Sequence, residues 1–585
     1  MHSNFPHGAS APRAGVLAFG LLFLFLGTAA QSQQTPSAPN PFVEELRQQE
    51  RERALREQME RGADTRLQVE APAVTKRLPT EEAPCLRIDR VVLDGELSQQ
   101  FQWLLPAAAG AEGDDSPIGR CLGTEGVNTV MARLQQAAIA RGYITTRVLA
   151  APQDLSQGTL TLTLVPGRIA AIRLAEGSDT HVRLWNAIPA GTGDLLNLRD
   201  IEQGLDNLKR VPTAEADIQI EPSTAPNARP GDSDLVVKYS QPQRLRLALS
   251  LDDSGTESTG RYQGGVTVSG DNLLGLNDLL YVNAGHSIDG HGVSNPKHAT
   301  ENQTAHYSVP YGHWLLGLTA SNSRYRQSVA GAYQDYVYAG KSNSAELKLS
   351  RLVYRDQQRK TTVSLRAVRR ESRNFIDDTE VGVQHRVTGA WEASVNHKEY
   401  LGQATLEANL GWRHGTGGFG ARRAPEEEFD EGTSRFKIIT ADVNLQVPFQ
   451  LAGQRLRYNG MWRAQWSRTP LTPQERFGIG GRYTVRGFDG ESTLLADGGW
   501  LVRNDIGWAL GALGAELYLG LDYGHVSSRW SGRYLIGHDL AGGVVGLRGA
   551  WRSLSYDVFV GAPIRKPEGF QTARVAAGFS LNYAF

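Results

Sequence analysis

The sequence predicts an α+β amino-terminal half followed by a transmembrane antiparallel β-barrel of about sixteen strands. Three observations lead there. Beyond the first thirty residues no segment approaches the roughly 18 unbroken apolar residues of a membrane-crossing helix, so any passage through a membrane needs a closed barrel. From Pro242 to Phe585 apolar residues recur at every second position, the period of a strand with one apolar face. Between 84 and 241 helical and strand periods alternate twice, marking two small mixed modules.

Composition agrees. The 64 glycines suit many strands and tight turns, while 4 methionines and 2 cysteines are few for 585 residues. A net charge of −1 gives no sign of a polybasic surface, so no nucleic-acid partner is expected. Arg13 precedes the apolar run 15–27, and Thr28-Ala29-Ala30 supplies small residues for cleavage after Ala30. That run is too short for a stable membrane span, and a Gln/Ser/Pro-rich stretch follows at once. The expectation is a secretory signal at 1–30, with an uncleaved anchor as the alternative. Cys85 and Cys121, 36 positions apart, lack the close spacing of a zinc site and would reach an oxidising periplasm. A disulfide is expected, two buried thiols being the other possibility.

Residues 31–62 form a polar leader and then a helix pattern crowded with charge from Glu44 to Arg61. Opposite charges four apart (Glu52 with Arg56, Arg53 with Glu57, Glu57 with Arg61) can support the helix. Only Phe42, Val43, Leu46, Leu55 and Met59 interrupt the polarity, so it cannot form half of an ordinary core. It is either a solvated arm or a plug in a polar pore. Residues 63–83, with Pro72 and Pro79, look like a linker.

The first module, 84–166, shows a strand at 86–93, a helix at 126–141 and strands at 143–149 and 159–165. Val127, Val130, Met131, Leu134 and Ala138 share one face of that helix. The second, 167–241, has a strand at 169–174, helices at 184–188 and 200–209, and strands at 217–220 and 235–239.

Over 242–585 the alternation is explicit at Leu245, Leu247, Leu249 and Leu251, and again at Leu517, Leu519, Leu521 and Tyr523. Val575, Ala577, Phe579, Leu581, Tyr583 and Phe585 place an aromatic at the chain end on the lipid-facing parity. The segment holds about sixteen strands at roughly 9–11 residues plus turns, with about fourteen or eighteen as neighbouring counts.

Signatures of soluble enzymes are missing, and neither a catalytic residue nor a cofactor is expected. His286, His291 and His298 fall in a Gly/Asn-rich loop pattern that does not suggest a metal site. Two stretches stand out: Val485-Arg486-Gly487-Phe488 in a Gly-rich loop, and Gly520-Leu521-Asp522-Tyr523-Gly524 on a strand. Parity turns Asp522 into the lumen with Glu516, Tyr518, Gly520 and Gly524. There a carboxylate can pair with an arginine on an inward-folded loop, and the glycines leave room for it.

In this order the motifs resemble the two-partner secretion transporters (TpsB, hemolysin activator type) of the Omp85 superfamily. The resemblance covers signal, lone helix, linker, two POTRA-like modules, barrel and terminal Phe585. It implies that the arginine of VRG(F/Y), here Arg486, pairs with the aspartate of a DxG motif, here Asp522 with Gly524. Asp252-Asp253-Ser254-Gly255 and the segment from Leu349 to Arg355 also look like barrel strands of this family. The cysteines, with Gly119-Arg120-Cys121-Leu122-Gly123, resemble its hemolysin and contact-dependent-inhibition branch.

The resemblance further implies an outer-membrane location with periplasmic modules. It implies a secreted TpsA-type exoprotein as partner, outer-membrane lipid around the barrel, and a barrel-assembly machinery that reads Phe585 during insertion. An insertase of the same superfamily is the alternative, though such relatives resemble chains with more POTRA modules and no plug helix. A passive porin would need no periplasmic modules.

Overall fold

The computed structural model describes residues 41–67, 76–288, 298–511, 514–530 and 535–585. The signal and leader up to residue 40, Pro72 in the linker, and His291 lie outside the described residues. Helix α1, Pro41–Met59, comes first. Of its expected internal charge pairs, Arg53 with Glu57 forms at 3.0 Å, while Arg56 turns instead to a barrel carboxylate. The reason is its surroundings: a helix enclosed by ionisable walls satisfies its charges outward.

In the first module Thr159–Val165 is the central strand, parallel to Arg90–Gly95 and antiparallel to Arg147–Leu149. Helix α2, Thr124–Ala140, covers the sheet with Val130, Leu134 and Ala138 against Leu160, Leu162 and Leu164. Two expectations need correction. The strand at 86–93 is split, because Leu86–Arg87 pairs with Cys121–Leu122 before Arg90–Gly95 joins the main sheet. The strand at 143–149 shrinks to Arg147–Leu149, since Tyr143 leaves it to meet the ring of Phe101 edge-on at 4.9 Å. Phe101 belongs to a 3-10 stretch, Ser98–Ala109, that no periodicity announced. Cys85 and Cys121 are bonded as a disulfide.

The second module has the strand order Ile169–Leu174, Ser233–Ser240, Glu215–Pro222, with helices α3, Leu184–Ala187, and α4, Leu198–Leu208. It does not hang free. Leu279 and Tyr281 of the barrel enter its core, and Asn186 Nδ2 donates to the carbonyls of Leu276 (2.6 Å) in a barrel turn and Pro310 (3.1 Å) near the end of a barrel strand. Asn207 Nδ2 donates to the Gly312 carbonyl at 2.8 Å.

Sixteen long strands, from Leu245–Asp252 to Ala576–Ala584, then close a barrel, with the two-residue Thr379–Glu380 appended at one edge. Each long strand is antiparallel to its neighbours, and the last pairs with the first from Ser580↔Asp252 to Ala584↔Ala248. Leu517, Leu519 and Leu521 face outward while Tyr518 and Asp522 are buried within. No described helix is long and apolar enough to cross a membrane. The turn at Gly312, where φ is +56°, is one of the tight connections on the side of the modules.

Asp115 ties the first module together. Its carboxylate accepts from Leu78 N at 2.8 Å, contacts Arg133, and lies 3.0 Å from Arg120 Nη1. Burial pushes its pKa up, but Arg133, the Leu78 amide and Arg120 together hold it below the ordinary value. A carboxyl depressed in the folded state stabilises above its unfolded value near 4, and that contribution is lost as pH falls through the folded value. Protease protection of the segment 78–121 should therefore weaken on acidification below about pH 4 in the wild type. Asp115→Asn, which leaves the buried Arg133 uncompensated, should already be destabilised by about 3–5 kcal/mol at neutral pH. Opening the disulfide by Cys85→Ser should cost roughly 3–4 kcal/mol from the freed loop, read as the urea dependence of protease protection over the same segment.

Candidate functional site: an inward loop and a lumenal helix

Residues 468–497 connect the strands Gln454–Ser467 and Gly498–Leu510 and fold back into the barrel. A small hairpin, Phe477–Ile479 against Leu494–Ala496, forms the stem of this loop. Apolar packing fixes it: Ile479, Val485, Phe488 and Leu494 are buried with Val526, Leu540 and Phe570. Phe488 meets the ring of Phe570 edge-on at 5.7 Å. Thr484 Oγ1 accepts from the amides of Gly480 and Gly481, both at 3.1 Å, which closes the turn before Val485.

At the tip, Arg486 Nε donates to Asp522 Oδ2 at 2.8 Å and Nη2 donates to Asp522 Oδ1 at 2.8 Å. The Arg486 backbone amide donates to the same carboxylate at 2.9 Å. Asp505, one strand away, accepts a further bond from Arg486 Nη2 at 2.5 Å. Arg548 then reaches Asp505 (3.4 Å) and Glu516 (2.8 Å from Nε) and lies over the Tyr518 ring at 4.6 Å. The structure thus brings Arg486 and Asp522 together, and it adds Asp505 and Arg548, which the sequence reading missed. Their lumenal parity was available as a signal; without a motif nothing pointed to them.

Glycines on the wall shape the cradle. A β-carbon at Gly542 would run into the Arg486 carbonyl, and one at Gly520 would lie 2.7 Å from Arg486 Nη2. At Gly524 it would meet Val485 at 2.8 Å, and at Gly561 the Gly487 backbone at 3.0 Å. Gly487 itself has φ +92°, where a side chain would be strained, and its own β-carbon would press on the Ala562 carbonyl at 2.6 Å. Phe585, by contrast, is remote from this cradle. It is exposed, packs edge-on against Tyr583 at 4.7 Å, and its amide donates to the Leu247 carbonyl at 2.9 Å.

Helix α1 lies within the same lumen and touches walls on several sides. Arg53 pairs with Asp442 (2.7 Å), Arg56 with Glu346 (2.9 Å) and Glu50 with Arg463 (3.0 Å). Arg47 Nη2 donates to the Gly490 carbonyl of the inward loop at 2.6 Å, so helix and loop are in contact. At its other end Leu55 and Met59 pack on the core of the second module. The chain after the helix is stapled down: Thr65 N donates to Asp206 (2.7 Å) and Leu67 N to Glu202 (2.8 Å). Arg355 binds Glu202 (3.0 Å), Asp206 (2.8 Å) and the Thr65 carbonyl at once. No group of three or more metal-ligating side chains exists among the described residues.

A barrel filled by a polar helix and a locked loop, with two periplasmic modules below, defines an outer-membrane transporter of the two-partner secretion class. The model of the haemolysin secretion/activation proteins ShlB/FhaC/HecB matches residues 231–549. POTRA domain models match 86–167 and 168–222, the latter ending before the strand Ser233–Ser240 that completes the sheet. The outer membrane transporter CdiB-2 of Burkholderia pseudomallei is 35% identical, covering 95% of this chain and 97% of that protein. The hemolysin transporter protein ShlB of Serratia marcescens is 27% identical over 79% of this chain and 78% of its own. Among solved structures, CdiB from Acinetobacter baumannii superposes with a TM-score of 0.81 at 32% identity, covering 93% of this chain and 98% of that one. The chain belongs to the ShlB/FhaC/HecB family.

Breaking the buried Arg486–Asp522 pair leaves the remaining partner under-compensated, Arg486 with Asp505 alone or Asp522 with Arg503 at 3.8 Å, a loss of up to about 3–5 kcal/mol. Arg486→Ala and Asp522→Asn should both expose the loop to protease while the barrel still migrates as a folded species on heat-modifiability gels. Arg486→Lys should not restore protection, because a single ammonium cannot reproduce the forked contact. Gly542→Val should displace the loop with both charges intact.

Proposed function

We propose that this transporter takes up an unfolded TpsA-type exoprotein in the periplasm and passes it through its own barrel, α1 leaving the lumen to open the path. The partner is of the hemolysin, adhesin or contact-dependent-toxin kind. The observation that carries this reading is how α1 is held. Its contacts to the barrel wall are ion pairs between partly exposed groups, as at Arg53–Asp442 and Glu50–Arg463. Such pairs contribute about 0.2–1 kcal/mol each and exchange readily for water, so a helix retained in the lumen by several of them is removable. Apolar packing is confined to its far end, where Leu55 and Met59 meet the second module.

The POTRA-like modules offer sheet edges, Arg90–Gly95 and Glu215–Pro222 among them, on which an extended segment of the partner can add a strand. Folding of the partner outside the cell supplies direction, and Arg486 with Asp522 holds the loop in the conducting geometry. Insertion of the transporter by the barrel-assembly machinery, with Phe585 as its signal, belongs to the same proposal.

Two measurements test it. Proteins released into the medium are compared among wild-type, deletion and Arg486→Ala cells; one large exoprotein should vanish in the deletion and fall at least tenfold in the variant. An unchanged medium in an expressing strain would sink the secretion reading. Separately, Arg53→Cys with Asp442→Cys, bridged by a short bis-maleimide, should stop export, whereas either single cysteine should not. Export continuing through the bridged barrel would show that α1 need not leave.

A further inference from the structure

Helix α3 of the second module carries an exposed tryptophan that neither the transport path nor the module's core uses. Trp185 is 64% exposed, although Asn186 and Ala187, which follow it, are fully buried. Asn186 is buried and bonds to the carbonyls of Leu276 and Pro310, while Gly312 N donates back to the Asn186 carbonyl at 2.8 Å. The helix is therefore bolted to the barrel rim, and the direction of the indole is set by that bolt.

The ring lies edge-on against Tyr311, with centroids 5.9 Å apart. Tyr311 is the last residue of its barrel strand and pairs across the turn with Trp314. Both sit on the outward parity: along the next strand Trp314, Leu316 and Leu318 alternate with inward neighbours and are exposed. Arg351, on the same outward face one strand further, lies over the Trp314 ring at 4.9 Å. Leu349 continues its row toward the hydrocarbon. Trp185, Tyr311 and Trp314 thus form one continuous aromatic surface that runs from the periplasmic module into the lipid-facing wall. Arg183 is exposed two residues before Trp185.

Indole and phenol rings favour the headgroup boundary of a bilayer, where the ring is apolar and its N–H or O–H stays wet, and guanidinium groups beside them meet phosphate. We infer that Trp185 is a membrane-interface anchor: the second module rests on the periplasmic leaflet of the outer membrane through this ring, which extends the barrel's aromatic girdle onto a domain outside the barrel. The occupant of the patch is phospholipid. What separates lipid from a protein partner here is continuity, because Tyr311 and Trp314 are already part of the wall that lipid must cover.

The full-length protein in phospholipid nanodiscs tests this directly. Because the two native cysteines are bonded to each other, W185C can be labelled selectively with an environment-sensitive fluorophore. A225C serves as control, on the loop whose Arg229 lies 3.7 Å from Glu96 of the first module, away from the rim. Nitroxide-headgroup lipid should quench the probe at 185 at least threefold more than at 225, and soluble iodide should quench it at least threefold less. Equal iodide quenching at both sites, without lipid quenching, overturns the inference. So does protection at 185 that appears only at several copies per disc, which would assign the patch to a second copy.

A second readout keeps the native ring. The fluorescence difference between wild type and W185F reports this tryptophan alone, and brominated lipid should abolish most of it. A difference that survives brominated lipid counts against the anchor. Heat-modifiable migration confirms that each variant is folded before either reading is taken.

Discussion

In hydrocarbon a backbone N–H or C=O has no water to fall back on, and leaving one unpaired costs several kcal/mol. Everything else here follows from meeting that demand with strands. Sixteen strands meet it only if the last finds the first, which it does through Ser580 to Ala584 against Asp252 to Ala248. Closure at that strand number leaves a lumen too wide for wall side chains to fill, and alternation makes the wall polar. A polar lumen can be occupied only by something polar. Hence the composition of α1, in which charge replaces the apolar stripe of an ordinary amphipathic helix, is the complement of the wall around it.

The inward loop answers the same demand differently. Arg486 is buried, and its charge is tolerable there because two aspartates converge on it, Asp522 being held in place by the Arg486 backbone amide as well. The wall at that point is stripped to glycine at 520, 524, 542 and 561, so the loop backbone comes within contact distance of the strands. Charge pairing supplies the attraction and missing side chains supply the space. Each alone would leave either a buried ion without a seat or an empty groove.

Much of this was legible from the chain alone. Period two with an outward apolar parity marks the barrel, and it places Asp522 inside before any contact is known. The helix at α1 is legible because its charges are too dense for an ordinary core, which leaves a solvated arm or a plug in a polar pore, and the disulfide because two cysteines remain in an exported chain. The failures are local and share a cause. The strand at 86–93 divides because pairing with Cys121–Leu122 competes for its first residues, and the 3-10 stretch Ser98–Ala109 owes its shape to the core around Phe101. Both depend on partners distant in sequence. Asp505 and Arg548 escaped notice for a related reason: strand register decides which lumenal charges meet, and register is invisible in a single strand's pattern.

The staples at residues 64–67 carry a kinetic consequence. Asp64 is bonded to Lys398 and Tyr400, and Thr65 and Leu67 are fixed to α4 and to Arg355, so only residues 60–63 separate the end of α1 from a fixed point. Four extended residues reach about 14 Å. A helix that vacates the pore on so short a leash stays at a local concentration in the millimolar range beside its own mouth. In the transport cycle proposed above, its return is then a first-order event, indifferent to how many transporters the cell holds, with the pore resealing as soon as whatever displaced the helix has cleared.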